Sequence, residues 1–178
     1  MRKIFLKWIL CIIAFIAIFL LILYTDFNLN IKAEENIENS RFEKKDGIFF
    51  AHEIIRYYSN ISVYPFDPNA TRLSVGVNAD KSYIGFGFIQ QSYSSKRNLE
   101  FFNSKPKPYK IRLYSNGNIS QFIKFEKRDF LIFPGEFTIV PVEAFTKLET
   151  TPGNYTGEID VVISIPKNKI SEIFQRLI

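Results

Sequence analysis

Three patterns of apolar and polar residues run along this chain, and each predicts a different element. From Trp8 to Tyr24 there is no charged residue, and counting from Ile4 the apolar run is 21 residues long. That length spans a bilayer as a helix, with Lys7 able to snorkel into the headgroups. Trp8 and Tyr24 stand at its two ends, where amphipathic aromatic side chains are enriched. Residues 1–24 are therefore expected to be a membrane anchor. The competing reading is a cleaved secretory signal, whose apolar region is shorter and closely followed by small residues. Here the first small aliphatic residue after Tyr24 is Ala33, far from the span.

From Asn60 to Pro166 the pattern changes to short apolar runs separated by turn residues. RLSVGV places Leu73, Val75 and Val77 on one face, YKIRLY does the same with Tyr109, Ile111 and Leu113, and GEIDVVISI with Ile159, Val161, Ile163 and Ile165. YIGFGFI, NLEFF, FIKF, DFLIF and EFTIVPVEA lie between them. Asn116-Gly117 suits a tight turn. Pro141 places its strand at an edge or on a bulge. Period-two runs at this spacing predict an all-β, antiparallel two-sheet sandwich over 59–166.

Residues 25–58 begin as a polar stalk, KAEENIENSRFEKKDG. They continue with IFFAHEIIRYY, where Phe50, Ile54 and Tyr57 or Tyr58 recur at helical spacing. A short amphipathic helix is expected there, with a strand as the alternative because the side chains are bulky. At the C-terminus, over 167–178, Ile170, Ile173, Phe174, Leu177 and Ile178 form one face of a short amphipathic helix after Pro166. A helix of about ten residues is marginal alone in water. Its apolar face is therefore expected to be covered, by the sandwich or the 50–58 segment, or by a partner or membrane surface.

Charge adds topology. The formal charge is +5, but Arg2, Lys3 and Lys7 precede the apolar run with no acidic residue among them; without them 20 basic face 18 acidic groups. Basic residues before the span and Asp26 after it place the N-terminus in the cytoplasm and the remainder outside. The densest remaining basic group is Lys105, Lys107 and Lys110, interrupted by prolines, so no nucleic-acid partner is expected. Cys11, the single cysteine, lies inside the apolar run, and no intramolecular disulfide can form.

The segment Leu73–Ile165 resembles the Ig-like sandwich modules of archaeal and bacterial surface proteins, found beside glycosidase domains and in CARDB-like repeats. The resemblance rests on Ile84-Gly85-Phe86-Gly87, on Arg97-Asn98-Leu99 through Asn103, on Pro108 through Leu113, on Phe133-Pro134-Gly135-Glu136 and on Pro152-Gly153-Asn154-Tyr155-Thr156-Gly157. In the last motif Pro and Gly make a turn, Tyr packs at a sheet end and Gly157 allows a close approach. The resemblance covers about half the chain and implies a non-catalytic module with no shared catalytic residues. Such modules often occur in series or beside an enzyme domain, whereas here there is one copy.

The chemistry-bearing residues point the same way. No CxxC, HExxH or Gly-rich phosphate loop occurs. His52, the only histidine, reads as a partly exposed, hydrogen-bonded residue rather than a metal ligand, since zinc needs three or four ligands. No catalytic residue, metal or cofactor is assigned. Glu136, Glu143, Glu158 and Asp160 lie in or beside strands, and alternation makes Glu158 and Asp160 solvent-facing. Four N-glycosylation sequons occur, at Asn60, Asn69, Asn118 and Asn154. Thirteen Asn and 20 Ser plus Thr would give about 1.5 by chance. The sequence thus describes a single-pass membrane protein with an extracytoplasmic binding or structural domain. Its expected partners are the membrane and an envelope protein or glycan, and the alternative is a subunit of a membrane-anchored surface assembly.

Overall fold

In the computed structural model of the chain, residues 2–28, 40–68 and 83–177 are described, with side chains from residue 7 onward. The expected strand at Leu73, Val75 and Val77, the sequon at Asn69, half of the stalk and Ile178 lie outside the described residues.

The apolar run forms helix α1, Arg2–Phe27. Its segment Lys7–Phe27 is 21 residues long and almost wholly uncovered by the rest of the chain. Among the described residues the β structure comprises two sheets. The larger contains β1 (Arg41–Asp46), β2 (Phe50–Tyr64), β3 (Tyr83–Gln90), β5 (Tyr109–Gly117), β7 (Asp129–Ile132) and β9 (Gly153–Pro166). Its order is β1-β2-β9-β5-β7, and β3 shares the β1 edge of β2. β1 lies beside residues 51–56 and β3 beside 58–64. The smaller sheet has the order β4 (Ser94–Phe102), β8 (Phe137–Phe145), β6 (Ile123–Phe125).

The described pairings are antiparallel except β2–β3, which is parallel. The larger sheet is therefore mixed, a departure from the expected antiparallel pattern. The core lies between the sheets. Ile61, Phe86, Ile111, Ile159 and Val161 of the larger sheet meet Ile123, Phe125, Val140, Val142 and Ala144 of the smaller.

Several expectations need correction. Residues 50–58 are not a helix outside the domain. They open a 15-residue central strand, paired with β9 from Phe50↔Pro166 to Val63↔Gly153. The ambiguity arose because positions i and i+4, such as Phe50 and Ile54, share a face in both a strand and a helix. Ile54, Ile55, Tyr57, Tyr58 and Ile61 favour the pleated form. The sheet begins at Arg41 rather than 59, so part of the expected stalk is strand β1.

Asn116-Gly117 makes no hairpin. Gly117 takes φ +80°, and the chain enters a 3-10 helix, Asn118–Phe122, that carries it across to β6. Pro141 sits in β8, the middle strand of its sheet. However, β6 pairs only with residues 142–144, so Pro141 faces the ladder's end, where its carbonyl accepts from Glu126 N (3.1 Å). A missing N–H is tolerated at such a place.

The Pro152–Gly157 motif has the geometry its residues imply. The Tyr155 ring packs edge-on to Phe122 at 4.7 Å, and its hydroxyl donates to Thr151 O at 2.6 Å. A Cβ at Gly157 would lie 2.1 Å from Asn116 O.

Helix α2, Lys169–Leu177, is capped by Asn168, whose Oδ1 accepts from Ser171 N at 2.9 Å. The side it docks differs from the expected one. Ser171 and Gln175 are buried and Phe174 packs inward, while Ile170 (55 %), Ile173 (61 %) and Leu177 (78 %) are exposed.

Candidate functional site at the junction of helix and sandwich

The last turn of α1 does not end in solvent. Leu23 and Phe27 form a small second core with Phe50, against which Phe49 and Phe174 pack. The Phe27 and Phe50 rings meet edge to face at 5.1 Å, and Phe27 and Phe174 at 6.1 Å. Asp26 faces the β1–β2 turn. Its carboxylate accepts from the amides of Ile48 (3.0 Å), Phe49 (2.7 Å) and Phe50 (3.0 Å). Charge-assisted bonds of this kind are among the stronger ones in proteins. Gly47 makes the approach possible: a Cβ there would lie 1.8 Å from Asp26 Oδ1.

Behind this turn lies a buried polar group drawn from four segments. His52 Nε2 is 2.8 Å from Asp26 O and Nδ1 is 3.0 Å from Ser164 Oγ. Arg112 donates to Phe27 O (2.5 Å), Asn28 Oδ1 (3.0 Å) and Ser164 Oγ (3.0 Å), and its guanidinium lies 4.3 Å from the centre of the Phe27 ring. The network assigns the tautomer. A main-chain carbonyl can only accept, so Nε2 carries the proton, and Ser164, which accepts from Arg112, donates to Nδ1. Burial holds the His52 pKa below its usual value; the Arg112 charge acts in the same direction, and the Asp26 carbonyl against it. Burial likewise lowers the pKa of Arg112, opposed by Tyr114 and Asp129. An arginine remains charged under such a shift.

A serine and a histidine within hydrogen-bond reach are the beginning of a nucleophile–base pair. Here the rest of the geometry serves attachment. Ser164 is fully buried, the second imidazole nitrogen is engaged by a backbone carbonyl, and the Asp26 carboxylate points at the turn amides. Contrary to expectation, His52 is buried and belongs to the larger sheet. The junction was not foreseen from the sequence. Asp26 directly after the apolar run and Gly47 before Ile48 were its only local signals.

The carboxylates singled out earlier are not brought together. Glu136 bonds Phe133 N within its own turn, and Glu143 faces outward from the smaller sheet near Lys96. Glu158 and Asp160 lie on the outer face of the larger sheet, as alternation requires. They are buried, not solvent-facing, and share Asn116 Nδ2 at 3.3 and 3.0 Å. The three lysines also part company: Lys110 is buried against Asp129 (2.8 Å), Lys107 donates to Pro166 O and Lys167 O, and Lys105 is exposed. Asn60 is half-buried in mid-strand, between β9 and β3. Asn118 and Asn154 are exposed at the end of the sandwich far from α1. Among the described residues no three His, Cys, Asp or Glu side chains converge as metal ligands. A cleft of ≈ 640 Å³ opens between the sheets beside β3 and β4. Its lining is mostly apolar, with Arg97 and Glu100 as the charged members. Comparison with protein-family models, with curated proteins and with solved structures finds no match.

Proposed function

We propose that this chain is a membrane-tethered, extracytoplasmic module of the cell envelope with a binding or structural role, not a catalytic one. Its anchor is retained and its sandwich is Ig-like. The observation that carries the reading is the junction. Loss of residues 1–28 would strip the partners from three backbone amides and from His52 Nε2, take two of the three acceptors from Arg112, and bare Phe50. Each buried group so orphaned costs about 1–3 kcal/mol. A domain's whole stability is about 5–15 kcal/mol. A signal sequence removed from the mature protein has no reason to complete the fold it leaves.

The helix surface supplies the rest. Residues 8–18 are exposed and apolar, which suits hydrocarbon. The basic flank supports an orientation with the sandwich outside. The exposed sequons Asn118 and Asn154 lie at the membrane-distal end, which supports glycosylation in a host that modifies asparagine. The Pro152–Gly157 geometry favours an Ig-like module, and the parallel β2–β3 pair is its own variation on one. The partner on this reading is an envelope protein or glycan.

The subunit reading has one observation of its own. Phe102 and Phe137 are register partners on the outer face of the smaller sheet, and both are exposed beside Ile139. Exposed apolar patches mark interaction surfaces. Intact mass of the protein extracted from native membranes tests the anchor. The expected result is the full chain, released only by detergent, and a mature N-terminus near Glu34 would overturn it. Crosslinking in those membranes separates the two roles: partners through α1 or through the Phe102–Phe137 patch favour the assembly subunit, partners through the rest of the sandwich the tethered module.

A further inference from the structure

We propose that the junction end of the sandwich rests on the outer leaflet, with α2 lying in the lipid–water interface and nearby lysines on anionic headgroups. This rests on the anchor reading above. The β1–β2 turn does not stop at the end of α1. Phe49 packs on Phe19 at 5.4 Å, eight residues before Phe27, or about 12 Å back along the helix axis. Ile48 beside it is 70 % exposed. A turn that reaches this far down a spanning helix stands at the level where the headgroups give way to acyl chains.

Helix α2 is tied to the same place. Phe174 packs on Phe27, Lys167 N donates to Phe49 O (2.9 Å), and Lys167 Nζ donates to Gly47 O (2.7 Å). Its docked side is Ser171, Phe174 and Gln175, which leaves Ile170, Ile173 and Leu177 uncovered. An amphipathic helix lying in an interface buries its apolar face about 5–10 Å into the headgroup boundary. The cations flank it. Lys107 bonds the carbonyls of Pro166 and Lys167, which holds the 103–108 loop against the start of α2. Lys105 on that loop and Lys169 on α2 are exposed and have no acidic partner among the described residues. Arg176, paired with Glu172, lies over the exposed ring of Phe133 at the same end. The occupant is the bilayer, not a second protein, because this face is continuous with the span and lies at its end.

The full chain is reconstituted in vesicles of phosphatidylcholine, with or without phosphatidylglycerol. An environment-sensitive fluorophore is placed on native Cys11, or on Ile173→Cys in a Cys11→Ser background. The expected result is quenching of both labels by brominated lipid and not by aqueous iodide. Phosphatidylglycerol increases the effect at residue 173. Lys105→Gln and Lys169→Gln each lower the docked-to-undocked ratio about five-fold in anionic vesicles. If residue 173 is quenched by iodide while Cys11 remains in lipid, the docking is overturned and the anchor stands. If Cys11 is itself reached by iodide, the anchor reading falls and the docking with it. Shielding of residue 173 from both quenchers means that a second copy covers α2, which also overturns leaflet docking.

Discussion

On β9, Ile159 and Val161 face the smaller sheet, while Glu158, Asp160, Val162 and Ser164 face the other way, and both sets are buried. The first face is buried by apolar contact with a second sheet. The second is buried in part by the end of α1, and its polar groups are held by individual hydrogen bonds. Apolar burial is non-directional and tolerates neighbours of similar volume. A buried hydrogen-bonding group needs a partner at a particular place, and losing that partner costs more than the bond was worth. The inner face therefore holds the sandwich together, and the outer face fixes which helix sits on it.

The largest expected effect tests the inner face. Phe86→Ala should cost about 3–5 kcal/mol, read from thermal or denaturant unfolding of the full chain in micelles. Next comes Arg112→Met, expected to cost about 2–3 kcal/mol because Phe27 O and Ser164 lose a charged donor. If this variant is neutral or more stable, the outer face is an ordinary core with replaceable polar groups, and the contrast breaks. Asp26→Ala should cost about 1–2 kcal/mol, less than its three bonds imply, since Ile48 and Phe49 reach solvent and regain water. A cycle with Gly47→Ala sharpens this. The glycine substitution should be costly beside Asp26 and mild without it, and additive costs would mean the two do not meet.

A smaller effect is expected from pH. His52 is buried neutral, so its folded pKa lies below the unfolded value of about 6.5. The unfolded chain then binds more protons at acid pH. The stability this group contributes is present above about 6.5 and is lost as pH falls toward the folded value. His52→Gln should flatten that slope, and an unchanged slope would assign it to the carboxylates. The smallest effect is Ile173→Ser, which should alter the stability of the sandwich by less than about 0.5 kcal/mol. A larger loss would show that the chain itself covers this face.

How much was legible follows the same division. The alternation in YKIRLY and GEIDVVISI identified the inner face, because a period of two is a local property. α1 and α2 were legible from a continuous run and a 3.6-residue period. Gly157 was legible because a glycine in a strand marks close approach. Residues 50–58 were open to both a helix and a strand because they satisfy two periods at once. The burial of Glu158 and Asp160 was not legible, since alternation tells which way a side chain points and not what stands there. Nor was the junction. Asp26, His52, Arg112 and Ser164 are far apart in the chain, and each reads alone as an ordinary polar residue.

The place of β9 has a consequence for how the protein is made. It is the last of the described strands and the middle strand of its sheet, joined to β2 on one side and β5 on the other. On the proposed topology, the other eight described strands would be delivered before the one that joins them. Until Pro166 is available, Phe50 lacks its register partner 116 positions away, and β2 and β5 have no common neighbour. Closure over such distances is slow, and unpaired strand edges invite pairing with other chains. Synthesis stopped before Gly153 would leave β2 and β5 with open edges, so arrival of β9 is what closes the larger sheet.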